Sequence, residues 1–547
     1  MTRRSRLDLV GFALGVLLIW ALYVPLFGDK GFGADPRPPI ALLGLLALVA
    51  FVAQMRWSLA PWLRWSMASA IVVLALLQFV AGAVAQILAR SLDLYFDLAR
   101  LPDLLALYLD AAGWRGAIVL VAGALGIALL LWLTERALAA IERAAARPAL
   151  AAASFGAGLL GLALIASPLG RWVDTAAATV AARQASEAWR SFAVLHGIDH
   201  RYAGPLNAAQ PPTGPLPGLE GKDVYLVFVE SYGTVALDDP AYRRVLAPAL
   251  ADFATAVKNA GYTLLSSRLV SPVFGGGSWL AHGTLASGLK LDPLLNELVL
   301  NGNRKSLPRY LAAAGYRTVE VMPGIKKPDP DAAFWGFDRH YFAADLGYAG
   351  PGFGWFDIPD QFTLRQFAAR ELAPGHQPLF AQIVLVSSHT PFAPVPPYLA
   401  DWRDAGRFKT VPMADWPRIY APPDWSDLDR PYLDSIVYDL KTLGAWLAGL
   451  DRDALVIILG DHQPPEVTRV AGQPWTVPIY VLSRDADLVQ PFAALGYRAG
   501  DTPPPRDNPA GMEKFLGEFL AAYRNVSAPE PASAPPQSLG ARAASRP

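Results

Sequence analysis

Asp223 to Ser231 reads DVYLVFVES. An unbroken apolar run bounded by carboxylates predicts a strand buried on both faces, as in a parallel sheet covered by helices. Downstream, apolar runs alternate with helical patterns. APALADFATAVKNAG predicts a helix stopping at Gly261. SLPRYLAAAG predicts another, with Ser306 as N-cap, Pro308 in the first turn and Gly315 as its stop. YRTVEVM, PLFAQIVLVSSH, ALVIILGDH and TVPIYVLS read as further strands, and YLDSIVYDLKTLGAWLAGL as a long helix. The alternation predicts an α/β domain with a mainly parallel sheet over residues 222–525.

Ligands in such sheets bind beyond the carboxyl ends of the strands. Three strands end in groups suited to a metal or an anion: Glu230 after the first, His389 after PLFAQIVLVSS, and Asp461 with His462 after ALVIILG. Carboxylate oxygens with imidazole nitrogen suit one divalent ion, Zn²⁺, Mn²⁺ or Mg²⁺. Between them in sequence lies VSPVFGGGSWLAHGTLASGLKL, Val270 to Leu291. Gly275 to Gly277 deliver Ser278 to the start of a helix, where backbone N–H groups favour an anion. Ser278 is then either a plain N-cap or a nucleophile. A divalent metal would activate its otherwise unreactive hydroxyl.

The front of the chain is different. Of 547 residues, 53% are hydrophobic, and apolar residues concentrate before residue 170. Candidate spans lie at about 9–27, 40–55, 67–88, 116–134 and 150–168, which makes five, the second being short. Arg3, Arg4, Arg6, Arg56, Arg64, Arg136, Arg143 and Arg147 fall in loops on one side; Lys30, Arg37, Arg90, Arg100 and Arg115 fall on the other. That bias puts the N-terminus in the cytoplasm and, with an odd span count, everything after Pro168 outside it. Expected organisation is therefore a transmembrane bundle over 1–170, a helical and Pro/Gly-rich linker over 171–221, the α/β domain over 222–525, and a disordered tail over 526–547. Net charge is zero, so no global field points to nucleic acid. The absence of cysteine excludes disulfides and thiolate metal sites.

The ordered set VFVESYG, GGGSWLAHGTLASG, SSHTPF and LGDHQPP resembles the alkaline phosphatase superfamily, and within it the sulfatase-like branch of lipoteichoic acid synthases and phosphoglycerol transferases. The resemblance implies Glu230, Ser278, Asp461 and His462 around one metal, with Ser278 where members usually have Thr, and His389 on the phosphoryl group. It also implies membrane spans followed by a catalytic domain outside the cytoplasm, in the periplasm or at the cell surface. Two departures stand out. In VMPGIKKPDPDAAFWGFDRHYF, Trp335 matches the phosphoglycerol-binding pattern, but Pro323 replaces its His and Phe337 its Arg. Arg339 and Lys326, beside Lys327, are the substitute candidates for substrate contact. Leu280 and His282 replace the Pro and Arg that accompany formylglycine formation, which argues against ordinary sulfatase chemistry. The expected function is a metal-dependent phosphotransferase on envelope lipid or glycan phosphodiesters through a phosphoseryl intermediate. The alternatives are a phosphate mono- or diester (or sulfate ester) hydrolase on the same site, and a non-catalytic lipid-binding regulatory protein on this fold.

Overall fold

The computed structural model describes residues 3–24, 27–28, 31–32, 37–87, 90–327, 329–421, 423–468 and 473–524. The expected disordered tail, 526–547, lies outside them.

Five apolar helices open the chain: α1 (Arg3–Tyr23), α2 (Ile40–Gln54), α3 (Pro61–Ile87), α4 (Leu94–Ala145) and α5 (Pro148–Ile165). Four contain windows long and apolar enough to cross a membrane; α2, at 15 residues, does not. The five expected spans fall on these five helices; α2, expected to be short, is the one below spanning length, and it packs along α5. The α4 run is broken at Gly113, where φ 56° and ψ −142° leave the helical region. The hydrophobic window begins there, so the amphipathic segment before it is separate from the span. Arg64, near the start of α3, bonds Glu135 and Glu142 near the end of α4, at 3.0 and 3.2 Å. The arginine-bearing loops assigned to one side of a membrane thus meet at one end of the bundle. An amphipathic helix, α6 (Ala176–Leu195), packs against α3 and α4, with Gln184 bonding the Leu94 N–H and the Leu92 carbonyl.

The rest is built on one sheet. Its main strands are β1 (Asp223–Val229), β2 (Thr263–Val270), β3 (Arg317–Met322), β4 (Arg339–Phe342), β5 (Leu379–Leu385), β6 (Ala454–Gly460) and β7 (Thr476–Ser483), in the order β2-β7-β6-β1-β5-β3-β4. Every residue of β1 is buried, and its side chains alternate. Tyr225, Val227 and Val229 enter one core, with α7 (Pro240–Asn259) and a helix over Asp429–Ala448. Val224, Leu226 and Phe228 enter the other, with α8 (Ser278–Ser287), α9 (Pro293–Leu300) and α10 (Leu307–Ala313). Helices on both faces are what the unbroken apolar run predicts.

β4, β3, β5, β1 and β6 run parallel, but β7 is antiparallel to both β6 and β2. The sheet is therefore mainly parallel, as expected, with β7 as the one reversed member of these seven strands. A buried strand reads the same in either direction, so TVPIYVLS carries no sign of its reversal. Ser306 occupies the N-cap position of α10 but makes no side-chain cap; its hydroxyl donates to the Trp335 carbonyl instead.

Candidate active site

β1, β5 and β6 end level with one another. Val229 pairs with Gly460 on one side and Leu385 on the other. The next residues, Glu230 and Asp461, therefore emerge side by side at the carboxyl edge of the sheet, with His462 following. Gly460 is required there: a Cβ on it would lie 1.9 Å from the Tyr232 carbonyl oxygen, where the chain leaving β1 folds across.

Each of these side chains is fixed from behind. Asp461 Oδ1 accepts the N–H groups of Ser231 at 2.8 Å and His462 at 2.7 Å. His462 Nδ1 donates to the Gln463 carbonyl at 2.8 Å, which turns Nε2 toward the carboxylates. Nε2 lies 3.3 Å from Glu230 Oε1 and 3.7 Å from Asp461 Oδ2. One ligand atom from each of the three residues falls within 4.8 Å of the others, all buried. Asp461 Oδ2 is buried with no hydrogen-bond partner. Two carboxylates, one imidazole and an unsatisfied buried oxygen fit a divalent cation.

The titration of the cluster points the same way. Burial pushes Asp461 up to about 7, and the neighbouring Glu230 charge adds to it. Burial opposes the charge on His462, but Asp461 and Glu230 outweigh it and raise the imidazole to about 10. Burial also opposes ionisation of Glu230; the hydrogen bond and charge of His462, with a smaller part from His389, hold its carboxyl below the usual range all the same. Protons supply here the positive charge that two adjacent buried carboxylates demand.

Ser278 is brought to this cluster by the loop after β2. Ser271 Oγ donates to the Asp461 carbonyl at 2.6 Å and anchors the loop. A Cβ on Gly275 would lie 2.4 Å from Pro465, and Gly276 and Gly277 have φ of 62° and 69°. The three glycines thus allow one close approach and two left-handed residues. Gly277, not Ser278, is the N-cap of α8. Ser278 is the first helical residue, and its Oγ stands 3.3 Å from both Glu230 Oε2 and His462 Nε2.

His389 sits on the turn after β5. Asp360 accepts the N–H groups of Val386 at 2.9 Å and Ser387 at 3.0 Å, and Ser388 Oγ donates to the Glu230 carbonyl at 2.7 Å. His389 Nδ1 donates to the Thr390 carbonyl at 2.7 Å, and its ring packs edge-on to Phe356. Its Nε2 has no hydrogen-bond partner among the described residues.

Residues 292–474 match the family described as Sulfatase. The chain carries a sulfatase-family domain. It is an enzyme domain. The matched span of the sulfatase-family domain holds His389, Asp461 and His462; Glu230 and Ser278 lie upstream of it. No curated protein matches the sequence. Among solved structures, the lipoteichoic acid synthase LtaP from Listeria monocytogenes is similar at 17% identity over 54% of this chain and 70% of its own, with a TM-score of 0.36. The C-terminal periplasmic domain of EcEptC from Escherichia coli is similar at 15% identity over 58% and 86%, with a TM-score of 0.37. The Streptococcus pyogenes phosphoglycerol transferase GacH, in complex with sn-glycerol-1-phosphate, is similar at 11% identity over 61% and 91%, with a TM-score of 0.34.

The candidate substrate residues are dispersed. Trp335 lines a cavity beside the first turn of α8. Lys326 is exposed and bonds Asp357 at 3.0 Å. Arg339 is exposed, bonds Asp345 at 3.3 Å and lies over the Tyr341 ring. Neither lines that cavity. The cavity wall instead includes Glu320, Gln382, Asn296 and His282, which the sequence reading did not assign to substrate. A signal existed for two of them: Glu320 and Gln382 interrupt otherwise apolar strands and pair with each other across β3 and β5.

Proposed function

We propose that the chain is a membrane-anchored phosphotransferase acting on envelope lipid or glycan phosphodiesters, with Ser278 as the nucleophile. The observation that carries this reading is the position of Ser278 Oγ, 3.3 Å from two side chains that fit a divalent cation and uncommitted to capping its helix. Glu230, Asp461 and His462 would hold the ion, with Ser278 adjoining. When bound, a divalent cation supplies positive charge that favours ionised serine and offsets charge on phosphoryl oxygens.

Ser278 gives up its hydroxyl proton to water and attacks phosphorus; a bond forms from Oγ, the bond to the leaving alcohol breaks, and the departing alkoxide takes a proton. The N-terminus of α8 faces the phosphoryl group, where the helix dipole favours negative charge. His389 Nε2 either holds a phosphoryl oxygen or gives the leaving oxygen its proton. An acceptor hydroxyl then displaces Ser278, which completes transfer in two steps. Apolar N-terminal helices and the arginine bias support a lipid or lipid-borne substrate and a catalytic domain outside the cytoplasm. Full-length protein loaded with Mn²⁺ and mixed with phospholipid vesicles, then acid-quenched and digested, is expected to carry a phosphodiester adduct on the Ser278 peptide. Turnover with that peptide unmodified at every time point would exclude the serine pathway.

A further inference from the structure

A second pair of carboxyl groups is buried behind the turn that carries His389, apart from the metal-binding cluster. Asp360 opens a helix over Asp360–Glu371, and Asp439 lies on the helix over Asp429–Ala448. Asp360 is 0% exposed and Asp439 1%. Their surroundings differ. Asp360 Oδ1 accepts the Val386 N–H at 2.9 Å, Oδ2 accepts the Ser387 N–H at 3.0 Å, and the Asp360 N–H donates to Ser387 Oγ at 3.2 Å. Both oxygens of Asp439 are buried with no hydrogen-bond donor among the described residues. Ser388 Oγ faces Asp439, but its one proton goes to the Glu230 carbonyl at 2.7 Å. Thr442 Oγ, one turn along the helix, is buried and makes no bond to it.

An ionised carboxyl buried without a donor is costly, and a second negative charge beside it adds to the cost. The groups that face Asp439 are Asp360, Ser388 and the hydroxyl of Tyr438, which accepts the Gln361 N–H at 3.2 Å. None carries positive charge. A void of about 10 Å³ beside Asp439 has room for about one water. Its lining is apolar apart from Asp439, Tyr232 and Tyr480, and the two tyrosine hydroxyls bond each other at 3.0 Å. Burial pushes Asp439 well above the ordinary carboxyl range, and the Asp360 charge adds to this. Burial raises Asp360 as well, but a hydrogen bond from Asp439 and the two N–H groups oppose it. With one proton between two carboxyls, the one already served by N–H donors keeps the charge, and the one without donors keeps the proton.

We propose that Asp439 is a positioning residue: it stays protonated, donates an O–H hydrogen bond to Asp360, and with Asp360 holds the turn that carries His389. Asp360 then has a single charge spread over two N–H donors and one O–H donor. Removing the proton would set two like charges side by side behind residues 386–388, and Ser388 ties that turn to the Glu230 carbonyl. The inference rests on the phosphotransferase reading only for what His389 does in the reaction; the proton and the turn stand apart from it.

The test compares full-length, Mn²⁺-loaded parent protein in detergent with Asp439→Asn, whose amide N–H₂ can replace the O–H, and Asp439→Ala, which has no donor. At about pH 8, far above the ordinary Asp range, the parent should show the infrared band of a protonated carboxyl that Asp439→Asn lacks. Amide hydrogen exchange at Val386 and Ser387 should speed up about tenfold or more in Asp439→Ala and stay near parental in Asp439→Asn. With an aryl phosphodiester, kcat should fall about tenfold in Asp439→Ala at unchanged KM and metal content, and Asp439→Asn should recover most of it. A missing difference band, parental exchange in Asp439→Ala, or an Asn variant as impaired as the Ala variant overturns the proposal. If Asp439→Ala does not fold, the infrared band and the melting of Asp439→Asn decide. The folded parent keeps a proton that its unfolded chain releases above 3.8, so its Tm should fall with rising pH relative to Asp439→Asn, and equal slopes overturn the proposal. A parent that turns over no phosphodiester would remove the phosphotransferase reading and leave the exchange and infrared results to judge the pair.

Discussion

The strand-end cluster and the cavity beside it are both polar and both buried, yet they are made differently. Glu230, Asp461 and His462 come from the first residues beyond two adjacent strands, so the register Val229 to Gly460 places them automatically. The cavity wall is assembled from α8, α9, α10, two strands and a connecting segment, and no single register sets it. The cluster should therefore be sensitive to each ligand, whereas the cavity should tolerate single changes.

The sharpest way to break this contrast is at the ligands. Asp461→Asn or His462→Ala should weaken metal binding by more than about 100-fold, beyond what loss of a supporting partner around a metal costs. Activity at limiting metal should fall in parallel while the circular dichroism spectrum is kept. Metal content after dialysis measures it; full occupancy in either variant would mean that the cluster is not the metal site.

A smaller effect is expected one layer back. Asp360 holds two N–H groups of the turn that carries His389. Asp360→Asn retains one acceptor and turns an amide N–H₂ toward a backbone donor. Activity should drop about 10- to 100-fold through misplacement of His389, with metal content unchanged. Kinetics paired with metal analysis separates this outcome from ligand loss, and metal loss here would merge the two regions that the comparison keeps apart.

The mildest effect belongs to the cavity and is one of stability. Burial lowers His282 from 6.5 to about 4, with the Glu230 charge opposing part of the shift. A depressed imidazole means that the unfolded chain binds a proton in this window and the folded chain does not. Its contribution is intact above 6.5 and is lost as pH falls towards 4. Tm should fall across that window in the parent protein and fall less steeply in His282→Gln. Identical slopes would show that His282 is not buried neutral.

How much of this was legible follows the same division. Apolar runs and their terminal carboxylates and histidines were readable because a strand has a fixed period and a definite end. β7 was not, since its burial pattern has no direction. Ser278 could be placed at a helix start, but its role turned on which residue was the cap, and only the left-handed Gly277 settles that position. Lys326 and Arg339 drew attention as positive charges near Trp335, but charge in a loop finds the nearest carboxylate: Asp357 and Asp345 took them. The cavity was marked by Glu320 and Gln382 inside apolar strands, whereas Asn296 and His282 sat in helical patterns with nothing to set them apart.

The central claim, that Ser278 is the attacking group at a metal-binding edge, is tested most directly by the metal-loaded Ser278→Ala protein. Its metal content, its Tm and its turnover of an aryl phosphodiester should be measured on the same preparation. Metal should remain, because Glu230, Asp461 and His462 are untouched, and Tm should move by little, because Ser278 Oγ caps no backbone group. Turnover should fall to background. A folded, metal-loaded Ser278→Ala protein with near-parental kcat would contradict the account.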